Sequence, residues 1–198
     1  MGTSYYTTLG QWWSGPGAAV NQPQDDLFWL TTPLTELPRL GYRPDDHAST
    51  IASAEPLSVT TATSLHAAGI IEQTSDADVF SFQWPGGLSH VEADSNPDAP
   101  MLDLTLSLFD HSGNLLASSL SSLLGEQIDL PLAADSYYVS VTSAGGYGDI
   151  GQYTLSVTVP EPTAGAAGVM LIALLCPRRR AVFMSDRAVR SPIIPVEV

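Results

Sequence analysis

Lysine is absent from this 198-residue chain. All seven basic residues are arginines, and five of them (Arg178, Arg179, Arg180, Arg187 and Arg190) lie close to the end. Residues 1–177 therefore set only Arg39 and Arg43 against nineteen aspartates and glutamates. A body this acidic repels phosphate backbones, so nucleic acid is excluded as a partner. Cysteine is almost missing as well. Cys176 stands alone, no intramolecular disulfide can form, and the core must hold by burial. The start, Met1-Gly-Thr-Ser-Tyr-Tyr6, has neither the basic residues nor the apolar run of a signal peptide. The expectation is that Met1 is a misplaced start or that a longer parent has been cut. The catalytic signatures are missing too: there is no His-Glu-x-x-His, no Gly-x-Ser-x-Gly and no EF-hand loop. His47, His66, His90 and His111 are scattered at spacings that match no zinc motif.

What is present is alternation. In Asp103-Leu-Thr-Leu-Ser-Leu-Phe109, Leu104, Leu106 and Leu108 share one face while Asp103, Thr105 and Ser107 share the other. Period two over seven residues predicts a half-buried strand. Asp110-His-Ser-Gly-Asn114 then supplies turn residues before Leu115-Leu-Ala-Ser118, which predicts a hairpin. The same reading covers Asp78–Gln83, Leu88–Ala93, Tyr137–Thr142 and Gln152–Thr158. Turn clusters are predicted between them at Trp84-Pro-Gly-Gly87, Asp94–Asp98, Ala133-Ala-Asp135 and Ala144–Gly148. Short strands about ten residues apart predict an all-β fold, an antiparallel jelly-roll-like β-sandwich over 69–159. Residues 51–68 are small and polar, a linker or an edge strand.

Residues 1–50 read differently. Tyr5, Tyr6, Trp12, Trp13, Phe28 and Trp29 crowd among Gly and Pro, and Gln24-Asp-Asp-Leu27 opens a short helix with acids at its amino end. Too little periodic apolar sequence is present to close a core. The segment is either the irregular edge of a larger domain or a long loop packed on the sandwich. The run Met1-Gly-Thr-Ser-Tyr-Tyr6, Gln11-Trp-Trp-Ser14, Gln24-Asp-Asp-Leu27 and Gly41-Tyr-Arg-Pro-Asp-Asp-His47 resembles the last stretch of metzincin-type zinc metalloprotease domains of secreted bacterial proteins. That resemblance implies that Met1 is the remnant of the turn methionine beneath the zinc, with the zinc-binding helix upstream.

A second resemblance covers the sandwich. Gly69-Ile-Ile-Glu72, Ser75-Asp-Ala-Asp-Val-Phe-Ser-Phe82, Leu102-Asp-Leu104, Ser112-Gly-Asn114, Asp135-Ser-Tyr-Tyr-Val139 and Gly151-Gln-Tyr-Thr-Leu155 follow, in order, the pattern of the bacterial pre-peptidase C-terminal domain. This is a jelly-roll-like module appended to secreted peptidases. Asp135-Ser136 stands where that family has Gly before the Tyr pair.

Candidate chemistry within the sandwich is sparse. Asp76 and Asp78, with Asp149 or Asp110, are either calcium ligands or turn caps. Trp84, Tyr137 and Tyr147 either stack on a sugar or peptide or belong to the core. His90, Asp103 and Ser107 offer the residue types of a hydrolase without a nucleophile context.

The chain closes on three parts. Pro160-Glu-Pro162 stops the last strand, Thr163–Cys176 is free of charge, and Arg178-Arg-Arg180 follows. Fourteen uncharged residues fall short of the roughly twenty that span a bilayer. On pattern alone this is a short hydrophobic helix, either in a membrane with its arginines inside or buried in a core. The order of Pro160, Glu161 and Pro162, apolar run, and Arg178, Arg179 and Arg180 resembles the PEP-CTERM sorting signal of bacteria with an outer membrane. It implies transient anchoring in the inner membrane and recognition by an exosortase. Residues 160–180 would be that signal and 181–198 a disordered tail.

Together these readings give an expectation. The chain is a non-catalytic C-terminal portion of a secreted, envelope-sorted bacterial protein, a metallopeptidase by resemblance. Its exported location is extracellular or in the cell envelope, and its own part is stabilisation, presentation and sorting. The alternative is an extracellular polysaccharide- or protein-matrix-binding module, calcium-dependent in one form and otherwise without cofactor.

Overall fold

The structure is a computed structural model, and it describes residues 10, 12–16, 23–32, 40–61, 64–121 and 123–158. The chain divides into two units, Met1–Pro160 and Glu161–Val198. The second lies wholly outside the described residues. So do Met1, Pro160, Glu161, Pro162, Arg178, Arg179 and Arg180, and with them the expected hydrophobic helix and sorting signal.

The first unit is built on strands, and the all-β expectation holds. Two short strands, β1 (Ser14–Pro16) and β2 (Pro23–Asp25), pair with each other ahead of a helix, α1 (Asp26–Thr31). Then come β3 (Glu55–Pro56), β4 (Ser58–Thr61), β5 (Ser64–Ile71), β6 (Ala77–Ser95), β7 (Leu104–Phe109), β8 (Leu115–Ser119), β9 (Gly125–Ser143) and β10 (Gly151–Thr158). Their order in space is β4-β5-β10-β6-β9-β7-β8, with β3 added parallel to β6 and every other pairing antiparallel.

The period-two reading is clearest in β7. Leu104, Leu106 and Leu108 are buried, Thr105 and Ser107 are only half covered, and the predicted hairpin joins β7 to β8. Asp110 fastens that turn, its carboxylate accepting from the amides of Ser112 and Asn114 and from the Asn114 side chain, each at 2.9 Å. One core takes in these leucines together with Phe80, Phe82, Val91, Val139, Val141, Tyr153, Leu155 and Val157. Leu106 has no exposed surface. Leu106→Ala is therefore expected to cost about 2–5 kcal/mol, the range for emptying a filled aliphatic site. Urea unfolding of the variant beside the parent measures it, and a loss under about 1 kcal/mol would place Leu106 outside the shared core.

Two predicted turns are overturned. Trp84–Gly87 and Ala133–Asp135 do not reverse the chain. They are bends inside two 19-residue strands that stay paired from Ala77↔Thr142 to Asp94↔Gly125. The clusters lie opposite each other, Trp84 against Asp135 and Gly87 against Leu132, so both strands bend together. Gly86 and Gly87 take φ of +97° and +109°, which side chains other than glycine resist. In β6 the residues that enter the shared core are even up to Trp84 (Phe80, Phe82) and odd beyond the bend (Val91, Ala93), with Val79 buried outside that core, so the face turned to the core changes at the bend. Trp84 Nε1 donates to the Gly87 carbonyl at 3.2 Å and the Tyr137 hydroxyl to the Ala133 carbonyl at 3.1 Å, each bracing its own strand.

One stretch of strand, Gly125 to Leu130, has no counterpart in the sequence reading. Its alternation is disguised by Glu126, a carboxylate at an inward position and almost fully buried. The hydroxyl of Ser119 at 2.5 Å and the amide and hydroxyl of Ser121 at 2.7 and 2.5 Å donate to it, which makes that burial tolerable.

Residues 51–68, read as a linker or edge strand, hold β3, β4 and the first part of β5, with β4 outermost in the sheet. The amino-terminal helix forms where the acids suggest, capped by Asp25, whose carboxylate accepts from the Phe28 amide at 2.9 Å. It is tied to the sandwich through Tyr147, whose hydroxyl accepts from the Leu27 amide at 2.9 Å and donates to Asp25. Gly10 adds a backbone bond to the Pro100 carbonyl at 2.8 Å.

A candidate cation centre

The segment that leads into the sandwich is held flat against β5 and β6. The Val79 amide donates to the Ala48 carbonyl at 2.8 Å. His47 Nδ1 meets Glu55 Oε2 at 3.1 Å and its Nε2 meets the Ala68 carbonyl at 3.0 Å, with the ring packed edge-on against Phe80. Both ring nitrogens being engaged, His47 has none left for a metal. Asp45 turns the chain before it, accepting from the His47 amide at 3.1 Å and the Ser49 hydroxyl at 3.2 Å. Asp46 accepts from the Ile70 amide at 3.4 Å. These contacts deliver two adjacent carboxylates to the junction where β5 ends and β6 begins.

The junction is acidic on its own account. Glu72 follows β5, and Asp76 precedes β6 and closes the turn between them, accepting from the Glu72 amide at 3.3 Å and the Ala77 amide at 2.7 Å. Asp78 points inward and has no exposed surface. Tyr153 comes from β10, donates to Asp78 Oδ2 at 2.5 Å, and leaves Oδ1 without a hydrogen-bond partner among the described residues. Glu72 is 5% exposed, and neither of its carboxylate oxygens has a hydrogen-bond partner among those residues.

Oxygens of Asp45, Asp46 and Asp78 lie within 4.8 Å of one another, and so do oxygens of Asp45, Glu72 and Asp76. Asp45 is common to both groups. Two oxygens on one calcium ion, each at 2.3–2.6 Å, sit at most about 5 Å apart, so either group fits a single ion. The donor set is all oxygen, which suits calcium or magnesium rather than zinc or copper. The orphaned oxygens of Glu72 and Asp78 are the second sign, because a buried acceptor without a donor costs free energy that a bound cation removes.

Electrostatics agree with the geometry. Burial pushes the Glu72 carboxyl up to about 7, with Asp76 and Asp46 adding to the effect. Burial likewise pushes Asp78 up to about 7 against the lowering by the Tyr153 hydrogen bond, with Asp76 and Asp46 adding repulsion. Tyr153 is held far above its ordinary range by its own burial and by the carboxylate it serves. Carboxyls this crowded must either keep protons or share a cation. Tyr153→Phe removes the one donor that the described residues give the Asp78 carboxylate and is expected to destabilise the cation-free protein by about 1–3 kcal/mol, read from its unfolding midpoint. An unchanged midpoint would mean that Asp78 does not depend on that hydroxyl.

Of the residues singled out from the sequence, Asp76 and Asp78 enter this centre, while Asp149 and Asp110 do not. Asp149 is buried elsewhere, accepting from the Ser143 hydroxyl at 2.6 Å and from the Asp103 amide. Asp110 is the turn fastener described above. Trp84 and Tyr137 belong to the core, ranged about Phe82 with ring centroids at 6.2 and 5.9 Å, and Tyr147 is engaged with α1. His90 pairs with Asp129 at 2.8 Å and the Ser107 hydroxyl with that of Ser118 at 3.2 Å, on separate strand contacts, while Asp103 Oδ1 is buried with no hydrogen-bond partner among the described residues. Asp45, Asp46 and Glu72 were missed as ligands. The one sequence signal was the Asp45-Asp46 pair, with its spacing of about thirty residues to Asp76 hiding the connection.

No family model and no curated protein matches the chain. Among solved structures it is similar to the pre-peptidase C-terminal domain of a collagenase from Bacillus anthracis, with 18% identity over 59% of this chain and 98% of that one and a TM-score of 0.42. It is also similar to PliG, a periplasmic inhibitor of g-type lysozyme from Aeromonas hydrophila, with 13% identity over 53% and 94% of the two chains and a TM-score of 0.41. A β-glucosidase from Paenibacillus barengoltzii is similar with 17% identity over 62% of this chain and 13% of that one, at a TM-score of 0.31. At such scores none of these carries an argument about what the chain does, and its own residues must supply it.

Proposed function

We propose that this chain is a non-catalytic, calcium-clamped β-sandwich module from the C-terminal portion of a secreted bacterial protein, with a sorting signal behind it and the end of a metallopeptidase domain ahead of it. The observation that carries the module's part is the meeting of Asp45 and Asp46, on the leading segment, with Glu72, Asp76 and Asp78, on the sandwich itself. A cation there fastens whatever precedes the sandwich to its β5–β6 junction. The sorting and peptidase parts are supported by the motif order in the sequence. Support for the alternative, sugar or peptide binding through aromatics, is weakened because Trp84 and Tyr137 are spent on the core.

Two experiments test the two halves. Calcium titrated into metal-free protein is expected to give saturable binding that Asp45→Asn weakens at least tenfold, and heat-free titrations would sink the clamp. Reading the DNA upstream of the Met1 codon is expected to reveal an in-frame His-Glu-x-x-His and a signal peptide. A stop codon there, with a promoter feeding Met1, would remove the peptidase parent and leave a small exported binding protein.

A further inference from the structure

Alternation along β9 turns Tyr137 into the core and its neighbour Tyr138 outward, where the side chain is only half covered. There it stands on a floor of neutral polar groups. The register sets Ser81 of β6 opposite Tyr138 and Gln83 opposite Ser136, so four outward residues form a patch about 5 Å wide between strands and about 7 Å long. Beside it runs a wall, the strap of residues 51–59, which presents Ile51, Ala52, Ala54, Pro56 and Val59, the last 74% exposed. The Leu57 amide fixes the strap by donating to the Ser81 carbonyl at 2.9 Å, and β3 pairs in parallel with β6. Floor and wall bound a groove of about 540 Å³, within the roughly 300–1,000 Å³ of small-molecule sites.

We infer that this groove binds a neutral oligosaccharide, with Tyr138 as its stacking surface. Among the described residues no charged side chain lines it, in a chain of net charge −14. An anionic glycan is repelled by the body and meets no counter-charge in the groove, and a cationic ligand meets no carboxylate there. The lining sets polar and apolar groups side by side, as a sugar ring does with its hydroxyl edge and its C–H faces. Gln83 Nε2 donates to the Ser136 hydroxyl at 2.6 Å, which leaves the amide carbonyl and the serine proton for a ligand beside the hydroxyls of Ser81 and Tyr138. The Tyr138 ring and the aliphatic strap take the C–H faces. A peptide fits less well. At Ser81 β6 lies between β3 and β9, and at Tyr138 β9 lies between β6 and β7, so no strand edge is open there to an added backbone and recognition falls to side chains.

Calorimetric titration of the full chain with cellopentaose and with maltopentaose, neutral glucans that differ in linkage, tests this beside an acidic galacturonate oligomer and an uncharged peptide of similar length. The expected result is saturable binding of at least one glucan, unchanged by sodium chloride, and none of the acidic oligomer or the peptide. Tyr138→Ala is expected to weaken the glucan about tenfold. Gln83→Ala, at an exposed position, is expected to weaken it about threefold and serves as the second variant should Tyr138→Ala fail to fold. Tyr42→Ala, an exposed tyrosine outside the groove, is expected to leave binding unchanged. No saturable binding of either glucan at millimolar concentration, tighter binding of the acidic oligomer or the peptide, glucan binding indifferent to both Tyr138→Ala and Gln83→Ala, or an equal loss in Tyr42→Ala each overturns the assignment.

Discussion

Calcium is expected to raise the melting temperature by about 5–10 °C when present at a hundred times its dissociation constant. Binding that favours the folded state at that excess is worth about 2.7 kcal/mol, and a chain of this size gains about 2–4 °C per kcal/mol. Asp45→Asn should abolish most of the shift, because Asp45 belongs to both carboxylate groups while the amide oxygen still accepts from the His47 amide and the amide nitrogen can donate to the Ser49 hydroxyl. The effect has a pH signature. Glu72 and Asp78 hold their protons in the folded, cation-free protein up to about pH 7, whereas in the unfolded chain they release them near 4. Between those limits the folded state binds more protons, so cation-free stability falls as pH rises from about 4 to about 7 and then levels. Calcium binds the ionised carboxylates, so its stabilisation grows over the same interval. Scanning calorimetry with chelator and with calcium at pH 5 and pH 7.5 measures both slopes. A melting temperature indifferent to calcium at pH 7.5 would remove the cation from the account.

Gly69→Ala should be among the most damaging single methyl additions in the molecule. Gly69 pairs with Tyr153 across β5 and β10, and a Cβ at Gly69 would lie 2.4 Å from the Tyr153 hydroxyl and 2.8 Å from the His47 ring. Neither neighbour can step aside cheaply. The hydroxyl is Asp78's donor, and the ring is bonded at both nitrogens and packed edge-on against Phe80. Overpacking a rigid site costs about 1–3 kcal/mol, and here the loss of the Asp78 bond adds to it, for an expected total of about 3 kcal/mol or more. Chemical unfolding of Gly69→Ala beside Gly146→Ala, whose Cβ would meet only the Asp149 Cβ at an ordinary 3.7 Å, separates packing from glycine's general flexibility. Equal losses in the two would mean that the close approach at Gly69 is not what matters.

The alternation of Leu104, Leu106 and Leu108 was legible because one face of β7 meets the core and the other does not. The same logic failed where a strand changes its inward face. At Gly86 and Gly87 the period breaks, and a broken period reads as a turn whether or not the chain reverses. It failed again at Glu126, since only the serines gathered around that carboxylate reveal that it is an inward residue. Asp76 and Asp78 were legible as possible ligands from their acidity and spacing, yet Asp149 and Asp110 were assigned beside them with equal grounds. Composition names the donors and cannot say which of them converge.

By itself the sequence determined the all-β class, the hairpin at Asp110–Asn114, the short helix opened by Gln24–Leu27 and the acidity of the whole, since each rests on neighbours in the chain or on a sum over it. The tertiary structure alone decided that Asp45 and Asp46 meet Glu72, Asp76 and Asp78, that Tyr153 reaches Asp78, and that the aromatics Trp84 and Tyr137 serve the core. Those contacts join residues tens of positions apart. They depend on how β5, β6 and β10 lie side by side, and no local pattern of side chains encodes that register.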